Sequence, residues 1–227
     1  MSPRRCSTSR EWRPLARACL NYLGQLRLYS YADLVLLFVA IGASRVDLLR
    51  LTLLWFGFLI HLEWRHRDRG RLRWHWICWV LPWVVALAMS RTPQAILAAA
   101  AFIVLASCYS LKKRFRILTL VSPVINGGLK ASLVAGIPEV TIRWVVIVLV
   151  VLTIRNLFGD IRDAKKDWEE GVISLPVRFG YRRHTPLIYP LAVYLTSILW
   201  TVLGHLGLLW LITALAVETL TYRLTPR

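Results

Sequence analysis

The chain has 227 residues, 57% of them hydrophobic, and its mean hydropathy is +0.53, which argues against a water-soluble domain of this size. Lys and Arg number 29 against 12 Asp and Glu, for a net charge of +17. The basic residues flank apolar runs and form no domain of their own. Membrane topology and anionic lipid contact therefore account for them, and nucleic acid is not an expected partner.

In chain order, 1–30 reads as a basic cytoplasmic segment. Its Cys19, Tyr22, Leu23 and Leu26 follow helical spacing with arginines between, as in an amphipathic helix on a membrane surface. Eight apolar runs follow, at about 31–45, 48–63, 74–90, 94–110, 117–136, 140–158, 186–203 and 206–221, each near the ~20 residues that cross a bilayer core. None alternates like a barrel strand, so backbone hydrogen bonding inside lipid demands helices. The expected architecture is all-α: a polytopic transmembrane helical bundle of about eight spans over 31–221, with a short tail at 222–227.

Most Lys and Arg fall on one side. By the positive-inside rule, both termini and the loops after spans two, four and six are expected in the cytoplasm, with the plasma membrane as host. The opposite connections hold Arg45, Arg50, Arg91 and Arg143. Fusing the first two spans would bury Arg45, Asp47 and Arg50, so two helices are expected there. Trp64, Trp74, Trp76, Trp79 and Trp83 crowd the ends of spans two and three as an interfacial belt does. Cys6, Cys19, Cys78 and Cys108 have no CxxC spacing, so neither a zinc site nor a disulfide framework is indicated.

The segment after span six carries the strongest chemical signal. In "GDIRDAKKDWEEGVISLPVRFG", Asp160, Asp163 and Asp167 lie at offsets that turn about 0°, 300° and 340° around a helix. Three carboxylates on one stripe repel unless a cation neutralises them, and hard oxygen ligands of this kind suit Mg²⁺ completed by water and substrate phosphate. The bland reading is a solvated face paired with Arg162, Lys165 and Lys166. Gly171, Pro176 and Gly180 are expected to break the chain beyond it.

Three further places invite functional readings. In "CYSLKKR", Lys113 and Arg114 are placed to neutralise diphosphate oxygens on the same membrane face, or else serve only as topology signals. The loop "HLEWRHRDRGRLR" contains Glu63 and Asp68 among five arginines; His61 and His66 lack a metal-type partner at helical spacing and read as polar caps. In "NGGLKASLVAG", Lys130 is either an intramembrane functional group or a side chain reaching to the outer interface. Asn126, Gly127 and Gly128 permit close approach of a neighbouring helix or an isoprenoid tail.

Three stretches in this order resemble the UbiA-like superfamily of intramembrane prenyltransferases. "NYLGQLRLYSYADL", Asn21 to Leu34, is similar to the entry to that family's first helix, with Leu28 where a proline is usual. "YSLKKR" is similar to its tyrosine and Lys-Arg pattern after helix four. The Asp-rich stretch resembles its second Asp motif with the trailing Gly-x-x-Thr-Leu-Pro-Val, Ser174 standing for Thr.

The resemblance implies a helical bundle around a cavity open to the cytoplasm. Within it a prenyl group would pass from a polyprenyl diphosphate to a lipophilic or aromatic acceptor, with Mg²⁺. It implies Asp160, Asp163 and Asp167 as catalytic and metal-binding residues. Lys113, Arg114, Tyr109, Asn126, Arg155, Glu63 and Asp68 are the expected substrate contacts. The family's first Asp motif is absent after span two, where Arg65, Arg67 or Arg69 would meet diphosphate directly. That departure leaves a second reading, a catalytically degenerate isoprenoid- or lipid-binding accessory subunit. A transporter finds no inverted-repeat signal.

Overall fold

A computed structural model describes residues 26–65, 75–112 and 114–223, which form ten α-helices and no strand. They are α1 (Leu28–Ala40), α2 (Arg45–Arg65), α3 (Ile77–Ala88), α4 (Pro93–Ser110), α5 (Arg116–Leu120), α6 (Ser122–Ala135), α7 (Ile142–Glu169), α8 (Leu175–Arg178), α9 (Ile188–Leu203) and α10 (Leu208–Tyr222). Each apolar run holds one helix of 12 to 28 residues, the run 117–136 also holding the single turn α5; α8 is a single turn in the loop after α7. Two helices, α4 and α7, are both long and apolar enough to cross a membrane, while α1, α3, α9 and α10 are shorter apolar helices.

The helices contact one another in a closed circuit. α1 packs on α9 and α10, α9 on α7, α7 on α6, α6 on α4 and α4 on α2, which returns to α1 through a slight contact. Phe38, Phe58, Phe102, Leu129 and Trp200 are buried between them. The outward faces are apolar too: Leu97 is 70%, Ile142 75% and Leu209 76% exposed. Gly127 sets the tightest contact. A Cβ there would lie 2.2 Å from Thr153 Oγ1 and 2.8 Å from the Leu149 carbonyl oxygen, so only glycine lets α6 meet the backbone of α7.

Local chemistry explains the boundaries. Gly42 takes a left-handed φ of 72° and ends α1. Ser44 then caps α2: its hydroxyl donates to Asp47 at 2.6 Å, while the Asp47 amide donates back to Ser44 Oγ at 3.2 Å. α2 therefore starts three residues before the apolar run. Arg50, expected in an outer connection, is instead buried on this helix, ion-paired with Asp47 at 3.0 Å and donating to the Gly136 carbonyl at 2.7 Å. Arg143 likewise lies in the first turn of α7. The amphipathic segment expected from Leu15 through Leu26 lies, but for Leu26, outside the described residues, as do Cys6 and Cys19. Cys78 and Cys108 are free thiols.

Candidate functional site: a cavity between α1, α2, α6 and α7

The sequence of α7 changes character midway. Up to Phe158 it is mainly apolar; from Asp160 to Glu169 it is polar, yet the helix continues without a break. That extension carries the aspartate stripe across the mouth of a cavity of about 400 Å³. Asp160, Asp163 and Asp167 all line it, with Lys166. Ser122, at the start of α6, donates to Asp160 Oδ2 at 3.3 Å. Beyond α7, Gly171 (φ 70°) and Gly180 (φ 80°) make the turns on either side of α8.

The three carboxylates are not equivalent. Arg162 grips Asp163 through Nε at 2.8 Å and Nη2 at 2.6 Å, and also donates to the Tyr222 hydroxyl at 3.2 Å. Its guanidinium lies 4.6 Å from the Tyr189 ring centroid. Asp160 sits deeper. Burial pushes its carboxyl up to about 6; Lys112 opposes this, and the neighbouring Asp167 and Asp163 add to it.

Cations face the stripe. Lys112 donates to the Tyr109 hydroxyl at 3.1 Å. Burial works against its charge, but Tyr109 and Asp160 outweigh burial, and its pKa is raised. Arg27 enters the cavity from the residue before α1 in a left-handed conformation, φ 46°, which is uncommon outside glycine. Trp55, Phe58 and Leu62 of α2 form an apolar wall, and Tyr29, Tyr189 and Tyr222 pack edge to face and stacked along the opposite side.

The cavity brings together Asp160, Asp163, Asp167, Tyr109, Asn126 and Glu63 among the residues singled out from sequence. Four others, Arg114, Lys113, Asp68 and Arg155, stand apart or beyond description. Arg114 is exposed, its guanidinium 5.9 Å from the Phe115 ring, and does not line the cavity; the cation that does is Lys112, two residues earlier. Lys113 and Asp68 lie outside the described residues, as do Arg67, Arg69 and His66. Arg155 is 1% exposed and does not line the cavity. It pairs with Asp33 and donates to Thr196 at 3.0 Å, so it is a structural ion and not a ligand contact.

Sequence reasoning missed Lys112, Arg27, Ser122 and Asn156 as lining residues. For Lys112 a signal existed: it stands three residues after Tyr109, a spacing that brings the two side chains together in the turn that ends α4. His61 is no ligand in this fold; it is buried among Trp64, Trp79 and Trp83, at ring-centroid distances of 6.1, 4.6 and 5.3 Å.

Whether a divalent cation suits this mouth turns on its donors. Among the described residues, no three His, Cys, Asp or Glu side chains form a metal-holding group. The lining does supply hard oxygens, and the Asp160 carboxyl, raised mainly by burial and further by Asp167 and Asp163, is one whose ionised form a cation would favour. The fit is that of a Mg²⁺ sharing one or two carboxylates with phosphate, not that of an all-protein cage. Comparison of the chain with protein-family models, curated proteins and solved structures found no match.

Proposed function

We propose that the chain is an integral membrane prenyltransferase of the UbiA-like type. It moves a prenyl group from a polyprenyl diphosphate to a lipophilic or aromatic acceptor, with Mg²⁺ and with both termini in the cytoplasm. The observation that carries this reading is the cavity's division of labour. Acidic and basic side chains meet at its mouth, and an aromatic wall of Trp55 and Phe58 lines it further in. That combination suits an amphiphile with an anionic head. A bilayer is supported by the outward faces: in the apolar windows of α4 and α7, 28% and 17% of residues are buried, far less than in a core helix of a soluble protein.

The chemistry follows from charge placement. The bond between the allylic carbon and the diphosphate oxygen breaks, and its electron pair goes to the oxygen. Lys112 and Arg27 face the negative charge that develops there. Mg²⁺, held by Asp160 and Asp167, would neutralise the diphosphate and make it a better leaving group. The allylic cation is captured by a carbon or oxygen of the acceptor, which then loses a proton. The aromatic wall limits water, which would otherwise quench the cation.

A second reading, binding without turnover, draws on the Arg162–Asp163 pair, which occupies one of the three carboxylates. The test uses purified protein, a polyprenyl diphosphate and Mg²⁺. Ligand at 100 times its Kd should add ~2.7 kcal/mol of stability, and the gain should need Mg²⁺ and vanish in Asp160→Asn/Asp167→Asn. Release of diphosphate from a labelled allylic substrate then separates the two readings. Absence of any Mg²⁺-dependent stabilisation would sink both.

A further inference from the structure

The aspartates at the mouth have different kinds of partner. Asp160 meets Ser122, the first residue of a serine–asparagine–lysine stripe, Ser122, Asn126 and Lys130, that runs four residues apart down the α6 wall of the cavity. Lys130, at the far end of the stripe, is 2% exposed and does not reach the outer interface. Asp163 is held by a guanidinium instead. Arg162 donates through Nε to Oδ1 at 2.8 Å and through Nη2 to Oδ2 at 2.6 Å, so both carboxylate oxygens are engaged. A divalent cation drawn to the stripe has to compete with that fork for Asp163.

The fork is weakly held and well placed to turn. Neighbouring residues on a helix do not face each other, so these two side chains meet only by folding across its surface. The Asp163 side chain stays 45% exposed, and an ion pair open to water is worth little. The guanidinium also has contacts that do not involve Asp163. Its Nη1 donates to the Tyr222 hydroxyl at 3.2 Å, and it lies 4.6 Å from the Tyr189 ring centroid. Arg162, Tyr189 and Tyr222 all line the cavity, so the charge keeps its place on the wall when the fork opens.

A second arginine indicates what takes the place of Asp163. Arg27 lines the same cavity, near enough to Arg162 for the two like charges to repel, and both act on Tyr189. Two guanidiniums in one space favour an anion with several oxygens, because each binds phosphate through parallel N–H bonds. Asp163 has two oxygens and gives both to Arg162; a diphosphate has enough for both arginines.

We propose that Arg162 is a diphosphate-binding residue that exchanges partners: it holds Asp163 before the ligand arrives, then passes to the diphosphate and releases Asp163 to the metal. The exchange rests on the mouth being the Mg²⁺-diphosphate site. Arg162 and Asp163 each keep a partner of opposite charge before and after. Metal and diphosphate each draw off the partner that competes with the other, so their binding is positively coupled.

The test measures binding of Mn²⁺, in place of Mg²⁺, to the purified full-length protein from the EPR signal of the free ion, with and without inorganic pyrophosphate. Removing any nearby positive charge also tightens cation binding. Arg162→Gln is therefore paired with Arg162→Lys, which keeps the charge and lacks the fork. Without pyrophosphate, both variants are expected to bind Mn²⁺ roughly threefold tighter than wild type, and adding Asp163→Asn should abolish the gain. With pyrophosphate, Arg162→Gln is expected to bind the Mn²⁺-pyrophosphate pair roughly tenfold more weakly than wild type. Wild-type behaviour of Arg162→Lys without pyrophosphate makes Arg162 a background charge and overturns the exchange, as does undiminished pyrophosphate binding by Arg162→Gln. If wild type binds Mn²⁺-pyrophosphate and Asp160→Asn/Asp167→Asn does not, while the Arg162 variants match wild type, the exchange falls and the diphosphate reading stands. Absence of Mn²⁺-pyrophosphate binding by wild type removes both.

Discussion

Helix α7 carries two arginine–aspartate pairs two turns apart, and they teach opposite lessons. Arg155 reaches Asp33 of α1 in a sealed interior, where Thr196, Ser197 and Trp200 of α9 also donate to the same carboxylate. Arg162 holds its own neighbour Asp163 at the cavity mouth, where the Asp163 side chain is 45% exposed. The first pair joins three helices and meets no ligand space. The second costs little to open and sits among groups a ligand would touch. Identical chemistry is structural in one place and available in the other, and burial decides which.

The largest expected effect breaks the sealed pair. Arg155→Met strands Asp33 in an apolar interior and should cost about 3–5 kcal/mol, whereas Arg155→Met with Asp33→Leu should recover most of that loss. Thermal melts of the three proteins in one detergent check this. If the double variant is as damaged as the single, packing and not charge holds the helices there.

Next comes acidity at the mouth. Asp160 titrates at about 6 when folded against 3.8 as a free side chain, so the folded state holds its proton more tightly. Without ligand, stability should therefore fall as pH rises from about 4 to about 6 and level off above, by up to about 3 kcal/mol. Asp160→Asn should flatten this part of a melting-temperature profile. A slope unchanged in that variant assigns the titration to another group.

The smallest effect belongs to the open pair. Arg162→Gln should change stability by only about 0–1 kcal/mol, because Asp163 remains solvated. A loss comparable to that of Arg155→Met would erase the contrast between the two pairs.

Much of the fold was legible because apolar runs are local. All eight reappear as helices, two of them long and apolar enough to cross a membrane, and Gly171 and Gly180 turn the chain where their positions suggested. The aspartate stripe was legible for the same reason: one helix carries it, and spacing alone fixes which residues share a face. What sequence spacing does not encode is partnership across the bundle. Asp33 and Arg155 are 122 residues apart, and nothing near Arg155 marks it as sealed. Lys112 and Arg114 both lie in the turn between α4 and α5, where helical spacing does not hold, so a short cluster cannot say which cation turns inward. Arg50 was misplaced because a capping pair, Ser44 with Asp47, draws the helix outward beyond its apolar run.

The glycine contact between α6 and α7 has a dimensional consequence. Side chains on most walls of a binding space can rotate and so adjust its width, but Gly127 brings backbone against backbone. The spacing between the serine–asparagine–lysine stripe and the aspartate stripe is therefore a fixed gauge, set by main-chain thickness. Variation in this chain can retune which atoms meet a guest on either side of that gauge. It cannot alter the span between them without first giving up that glycine.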